Sequence, residues 1–314
     1  MRTERDGLTR MGFLGGALAA SLGGGAAAQG AQRHGTPADA GLHRRPIPAS
    51  GETLPAIGLG TWRGFDVGAS PAERAPLREV VATLLARGGR VIDSSPMYGR
   101  AEGVTGDLVA EAGARETTFL ATKVWTSGRE AGIAQMRRSL RLLRTERLDL
   151  MQIHNLLDWR THLPTLRAWK EEGRIRYIGI SHYTESAYDA VEAVLRAERL
   201  DVLQINYALD DRAAEDRLLP LAAEKGVAVL VNRPFGGGGL LRRLAGKPLP
   251  DYAADLGCGS WAEILLKFVV GHPAVTCAIP GTADPGHMAA NLRAGTGALP
   301  DEALRRRMAA TLPA

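Results

Sequence analysis

The chain has 314 residues, 45% of them hydrophobic, and a formal net charge of +5. That length suits one large α/β domain or two small ones, and the apolar share excludes a chain disordered beyond its N-terminus. The positive charge does not mark a nucleic-acid binder: 34 of the 39 basic residues are Arg, interspersed with acids along helical stretches such as Met136 to Arg147, and the run Arg305-Arg306-Arg307 reads as a solvated helix end.

The first thirty residues differ in composition from the rest. Arg2, Arg5 and Arg10 precede a Gly/Ala-rich run from Phe13 to Ala28 that closes on Ala26-Ala27-Ala28, a small-residue cleavage site. The run is too rich in glycine and too weakly apolar to read as a transmembrane span. Thr9-Arg10-Met11-Gly12-Phe13-Leu14 resembles a twin-arginine export signal, with Met11 where the second Arg belongs. Residues 1–28 are therefore read as an export signal, 29–43 as a polar linker and 44–314 as one folded domain. The expectation is a periplasmic protein that starts near Gln29, has met the export machinery and has no stable membrane insertion.

Next, His43 to Pro55 predicts a small hairpin turning at Pro48-Ala49-Ser50-Gly51-Glu52. An apolar run covers Ile57 to Trp62, and others begin near Val91, Phe119, Asp149, Arg176, Val202, Val227 and Val275. Between them lie amphipathic helical patterns such as Ala187-Val191-Val194-Leu195 and Leu218-Leu219-Ala222. Strand and helix alternating eight times define a (β/α)8 TIM barrel. A doubly wound open sheet would show a Gly-rich turn opening a helix after its first strand, which Gly58-Leu59-Gly60-Thr61-Trp62 does not. The interval from Val227 to Val275 is longer than the others and holds Gly236 to Gly239, a candidate lid or cofactor clasp.

In such a barrel the chemistry sits where strands end. The run Val91-Ile92 ends in Asp93, with Tyr98 five residues on; Phe119-Leu120-Ala121-Thr122 ends in Lys123; Leu150-Met151-Gln152-Ile153 ends in His154. A phenol is a poor acid at neutral pH, and a nearby ammonium favours its phenolate. Lys123 can supply that charge and Asp93 can hold it. His154 can hydrogen-bond a carbonyl oxygen. Together the four can protonate an oxygen as hydride reaches its carbon. Lys123 is also one of only five Lys in the chain. Neither a nucleophilic Ser or Cys pattern nor a metal-ligand spacing competes, and Cys258 and Cys277 read as two buried thiols.

Ile92-Asp93-Ser94-Ser95 with Tyr98-Gly99, then Ala121-Thr122-Lys123, then Gln152-Ile153-His154, resembles the catalytic tetrad of the aldo-keto reductase family, over about His43 to Asn291. The resemblance implies an oxidoreductase using NADP(H) or NAD(H) on a small carbonyl or alcohol. It implies Gly60, Thr61 and Trp62 at the nicotinamide end, Ser181, His182 and Gln204 around the carboxamide, and Trp62 and Trp125 as pocket walls. It places Asn232, Pro234 and Gly236 along the cofactor, and Pro280, Gly281, Thr282, His287 and Asn291 at its phosphate and adenine end. Three positions depart from the family pattern: His182 replaces Asn, Asn232 replaces a stacking aromatic, and the basic grip on a 2′-phosphate is reduced to His287. A regulatory or redox-sensing module with little turnover is the competing reading.

Overall fold

A computed structural model describes residues 41–312; the predicted export segment and residues 29–40 of the linker lie outside them. The hairpin is present. β1 (Arg44–Pro46) pairs antiparallel with β2 (Thr53–Pro55), and Gly51, at φ 74°, completes the turn. Eight parallel strands follow: β3 (Leu59–Gly60), β4 (Val91–Asp93), β5 (Phe119–Val124), β6 (Leu148–His154), β7 (Ile175–Ser181), β8 (Val202–Asn206), β9 (Ala228–Asn232) and β10 (Cys277–Ala278). Bridges from Ile57 to Ala278 and from Gly60 to Gly281 join the first strand to the last, so the sheet closes. At that seam a Cβ on Gly60 would lie 2.7 Å from the Ile279 carbonyl oxygen, so only glycine permits the approach.

Helices α1 (Pro71–Ala86), α2 (Ala101–Glu111), α3 (Arg129–Leu142), α4 (Trp159–Glu171), α5 (Tyr188–Ala197) and α6 (Leu218–Glu224) each link consecutive strands from β3 to β9. α1 shows why such a segment is helical. Ser70 caps it by accepting from Glu73 N, Pro71 occupies its first turn, and Leu77, Val80, Val81 and Leu84 form its buried stripe. The long interval before β10 is not one loop. It holds a 3-10 turn at Gly236–Gly238, then α7 (Gly239–Leu244), α8 (Tyr252–Asp255) and α9 (Trp261–Val270). α10 (Pro285–Ala294) and α11 (Glu302–Thr311) finish the chain.

Inside the barrel, Val91, Phe119, Leu150, Tyr177 and Leu230 cluster with Ile47 and Leu54 of the hairpin, which therefore plugs the N-terminal end. Glu52 on the hairpin takes Arg90, Arg176 and the Tyr177 hydroxyl, and Arg176 also reaches Asp149 at 2.8 Å. Burial would raise the Glu52 carboxyl, but these hydrogen bonds and charges hold it below its ordinary value.

One expectation fails. Arg305 is not a solvated helix end. It is buried, bonded to the Tyr207 hydroxyl and Glu215, with its guanidinium 4.8 Å from the Phe268 ring centre. Its turn of α11 faces the barrel, and a guanidinium meeting an acid and aromatic faces can be buried there. Arg306 and Arg307 stay exposed. Cys258 and Cys277 are both free and buried.

Candidate active site

Asp93 ends β4, and Lys123 lies one residue before the end of β5. Alternation along a strand turns both inward. Lys123 is fully buried, yet its ammonium is satisfied: Nζ donates to Asp93 Oδ2 at 2.6 Å and to the Ser94 carbonyl at 2.7 Å. Burial alone would lower its pKa, but the Asp93 charge reverses the direction and leaves it raised. Asp93 is itself over-determined. Its Oδ1 accepts from Gln152 Nε2 at 3.0 Å and from Gln204 Nε2 at 2.9 Å. A buried pair in which both carboxylate oxygens accept hydrogen bonds is the kind that persists.

Tyr98 stands above this pair in the loop between β4 and α2. Its backbone N–H donates to the Ser95 carbonyl at 3.0 Å, forming the turn that brings the ring back over the barrel mouth. Gly99 makes the turn possible. It sits at φ 62°, and a Cβ there would be 2.4 Å from the Asp66 carboxylate, which accepts from Arg100 N at 2.9 Å. The Lys123 ammonium lies 5.3 Å from the Tyr98 ring centre. Burial raises the Tyr98 phenol above its ordinary value, and Lys123 opposes that rise without cancelling it. The protein at rest thus keeps Tyr98 protonated, as a proton donor must be.

His154 ends β6, its ring edge-on to Tyr98 at 6.3 Å between centres. Burial, then the charge of Lys123, then His182 push it down to about 3, so it is neutral near pH 7. Its Nδ1 is 2.8 Å from Ser181 Oγ. A neutral imidazole carries one proton. If the Ser181 hydroxyl donates to Nδ1, the proton sits on Nε2, which becomes a donor.

The strand register explains the grouping. His154 pairs with Ser181, and Ser181 with Gln204, so β6, β7 and β8 present one polar layer at the rim. Below it Lys123 pairs with Gln152 and Gln152 with Gly179, where a Cβ would crowd Gln152 Cγ at 3.1 Å. Gln152 and Ser94 belong to the site, yet sequence reasoning gave neither a role. The available signal was that Gln152 lies two residues before His154, on the same inward face.

The cofactor candidates divide into two groups. Thr61 is buried, its hydroxyl directed to the Asp93 carbonyl and Ser94 Oγ. Trp62 is half exposed at the mouth. Gln204 has already given its amide donor to Asp93, leaving Oε1 for a ligand. His182 stacks on Tyr183 at 5.6 Å, and its carbonyl accepts from Asn232 Nδ2 at 2.9 Å. The two substituted positions thus contact each other. Gly236, at φ 58°, lies against Asp210, and Pro234 precedes it in the same loop. The segment after β10 contains Pro280 and Gly281, then Thr282, whose hydroxyl accepts from Asp284 N at 3.0 Å. The Asp284 side chain caps α10 by accepting from His287 N at 2.7 Å. Asn291 is buried on α10. Arg293 forks onto Glu263 through Nε and Nη2 and is thereby committed. Thr61, Ser181 and Gln204 therefore gather around Asp93 and His154, whereas the segment from Gly281 to Leu292 offers a carboxylate and neither Lys nor Arg.

The sequence profile of the Aldo/keto reductase family matches residues 56–310, and the chain belongs to that family. Among relatives it is similar to "Methylglyoxal reductase YeaE" of Escherichia coli (strain K12), 30% identical over 259 residues, covering 80% of this chain and 89% of that protein. Among solved structures it is similar to an aldo-keto reductase from Klebsiella pneumoniae in complex with NADPH, at TM-score 0.70 and 27% identity, covering 84% of this chain and 94% of that one. It is also similar to an aldo/keto reductase from Klebsiella pneumoniae in complex with NADP and acetate, at TM-score 0.68 and 29% identity, covering 82% and 92%.

Proposed function

We propose that this chain reduces an aldehyde or ketone to an alcohol at the expense of NADPH, with Tyr98 giving the proton to the carbonyl oxygen. The observation that carries this reading is the buried Lys123–Asp93 pair, hydrogen-bonded to each other and to Ser94, Gln152 and Gln204, beneath a protonated Tyr98 and beside a neutral His154. The family, the relative that reduces methylglyoxal and the NADPH-bound neighbour support it.

The nicotinamide, when bound, supplies hydride; the chain's residues do the rest. Ser181 Oγ and Gln204 Oε1 are the groups available to hold its carboxamide. His154, through Nε2–H, orients the substrate oxygen toward the phenol. As negative charge grows on that oxygen, the Tyr98 proton moves to it, and the fixed Lys123 ammonium stabilises the phenolate left behind. Because Lys123 is already engaged by Asp93 and Ser94, little reorganisation accompanies that step.

At the adenine end, Asp284 and the commitment of Arg293 to Glu263 argue against strong selection for a 2′-phosphate. NADPH and NADH are both proposed ligands, with a smaller preference than a paired Arg or Lys would give. Export to the periplasm is proposed from the N-terminal sequence alone; cell fractionation should find a mature form beginning near Gln29.

The test is NADPH consumption with a panel of aldehydes including methylglyoxal, alongside cofactor binding by fluorescence. Turnover of at least one aldehyde supports the reading. Cofactor binding without turnover would overturn it in favour of a regulatory module.

A further inference from the structure

Trp125 is a large aromatic left 40% exposed, two residues beyond Lys123 in the loop that begins where β5 ends at Val124. Its ring is solvent-accessible, but its backbone is held unusually firmly. Gln135, one and a half turns into α3, accepts from Trp125 N through Oε1 at 2.6 Å and donates from Nε2 to Trp125 O at 3.1 Å. One primary amide thus pairs both polar groups of a single residue, as a neighbouring strand would. Two side chains at the start of the next βα unit fix the residues that follow. His162 Nε2 donates to Thr126 O at 2.7 Å, and Asp158 Oδ2 accepts from Gly128 N at 2.7 Å. The His162 ring is itself seated on Gly132 of α3, where a Cβ would stand 2.5 Å from its Cε1.

Both bonds fix the backbone from which the indole projects, and with Trp125 left 40% exposed that ordering is only partly offset by burial in the free protein. The return comes when a ligand covers the ring, because the wall is already in place. We propose that Gln135 is a specificity-determining positioning residue: it clamps Trp125 as a rigid apolar wall for carbonyl substrates that carry an aromatic or similarly bulky apolar group. This rests on the carbonyl-reductase reading above. Only an amide of this length serves. A carboxylate would keep the bond to Trp125 N and repel Trp125 O, and Asn would fall short by one methylene.

The test compares wild type with Gln135→Glu and Gln135→Ala, reading KM and kcat separately for benzaldehyde and for methylglyoxal, which is too small to cover an indole. Loss of one preorganised contact is worth roughly 2–10-fold in affinity. The expected result is a rise of that size in the KM for benzaldehyde, a smaller change for methylglyoxal, and little change in kcat for either. A second readout uses 5-fluorotryptophan-labelled protein, with the Trp125 line assigned through Trp125→Phe. In wild type that line should be single and sharp and should shift on adding benzaldehyde. In Gln135→Glu it should broaden or split. Equal KM changes for both substrates, or a Trp125 line unaltered by Gln135→Glu, would overturn the proposal, as would a wild-type line that benzaldehyde does not shift. If wild type turned over no carbonyl at all, the reductase reading would fall, and the fluorine spectra would still decide the clamp.

Discussion

The two ends of the barrel are built to opposite rules. At the N-terminal end the hairpin inserts Ile47 and Leu54 into the interior, and Glu52 ties Arg90, Arg176 and Tyr177 together above them. That end is closed and its charges are matched. At the C-terminal end Trp62, Met97, Trp125 and Tyr183 are left exposed in loops that directly follow strands. Of the six non-glycine residues at positive φ among the described residues, Arg63, Asn155, Leu156, Asp158 and Arg233 lie in these loops, and only Arg144 lies at the other end. Exposed aromatics and left-handed backbone both cost stability. One end therefore holds the fold together, and the other spends stability to keep a mouth open and side chains aimed.

That contrast can be broken by substitution. Lys123→Met should have the largest effect, because it acts on both counts. It leaves Asp93 a buried, uncompensated charge, worth about 3–5 kcal/mol, and removes the charge that stabilises a Tyr98 phenolate. Denaturant melts and NADPH consumption should both fall steeply. Ile47→Ala, at a fully buried plug position, should cost about 2–5 kcal/mol in stability while leaving kcat of the folded fraction near wild type. A large fall in kcat there would erase the distinction between the ends. Gly99→Ala should do the reverse. Its left-handed strain costs about 1–2 kcal/mol, but the contact with Asp66 displaces Tyr98, so turnover should drop more than stability does.

Acid should produce a smaller, graded effect. His154 is depressed to about 3 and His272 to about 4 in the folded protein, whereas an unfolded His titrates near 6.5. Between these values the unfolded chain binds protons that the folded chain refuses. Stability is thus full above about pH 6.5 and is lost as pH falls toward 4 and then 3. Tm should decline between pH 7 and pH 5, and His154→Gln should flatten part of that decline. Over the same interval no step in activity should arise from protonation of His154.

The strands were legible because each buried strand is a short apolar run, and the polar residue that ends it stands out. Asp93, Lys123 and His154 were found that way, and the predicted starts of β4 through β10 fall within two residues of those observed. What stayed hidden depends on reach across the barrel. Gln152 and Gln204 both bond Asp93 from strands 59 and 111 residues away, and no local pattern encodes that convergence. Gln135 reads as an ordinary polar position on α3 until the β5–α3 loop is folded against it. Arg305 looked like part of a basic run because its partners, Tyr207 and Glu215, lie 98 and 90 residues distant.

The central claim, that the open end is a proton-donating site worked by Tyr98, is tested most directly by single-turnover oxidation of bound NADPH in wild type and Tyr98→Phe. Tyr98→Phe keeps the ring and removes only the hydroxyl, so the variant should bind NADPH and melt much as wild type does. Its rate of NADPH oxidation in the presence of aldehyde should be lower by about 10²–10⁴-fold. An undiminished rate would contradict the account.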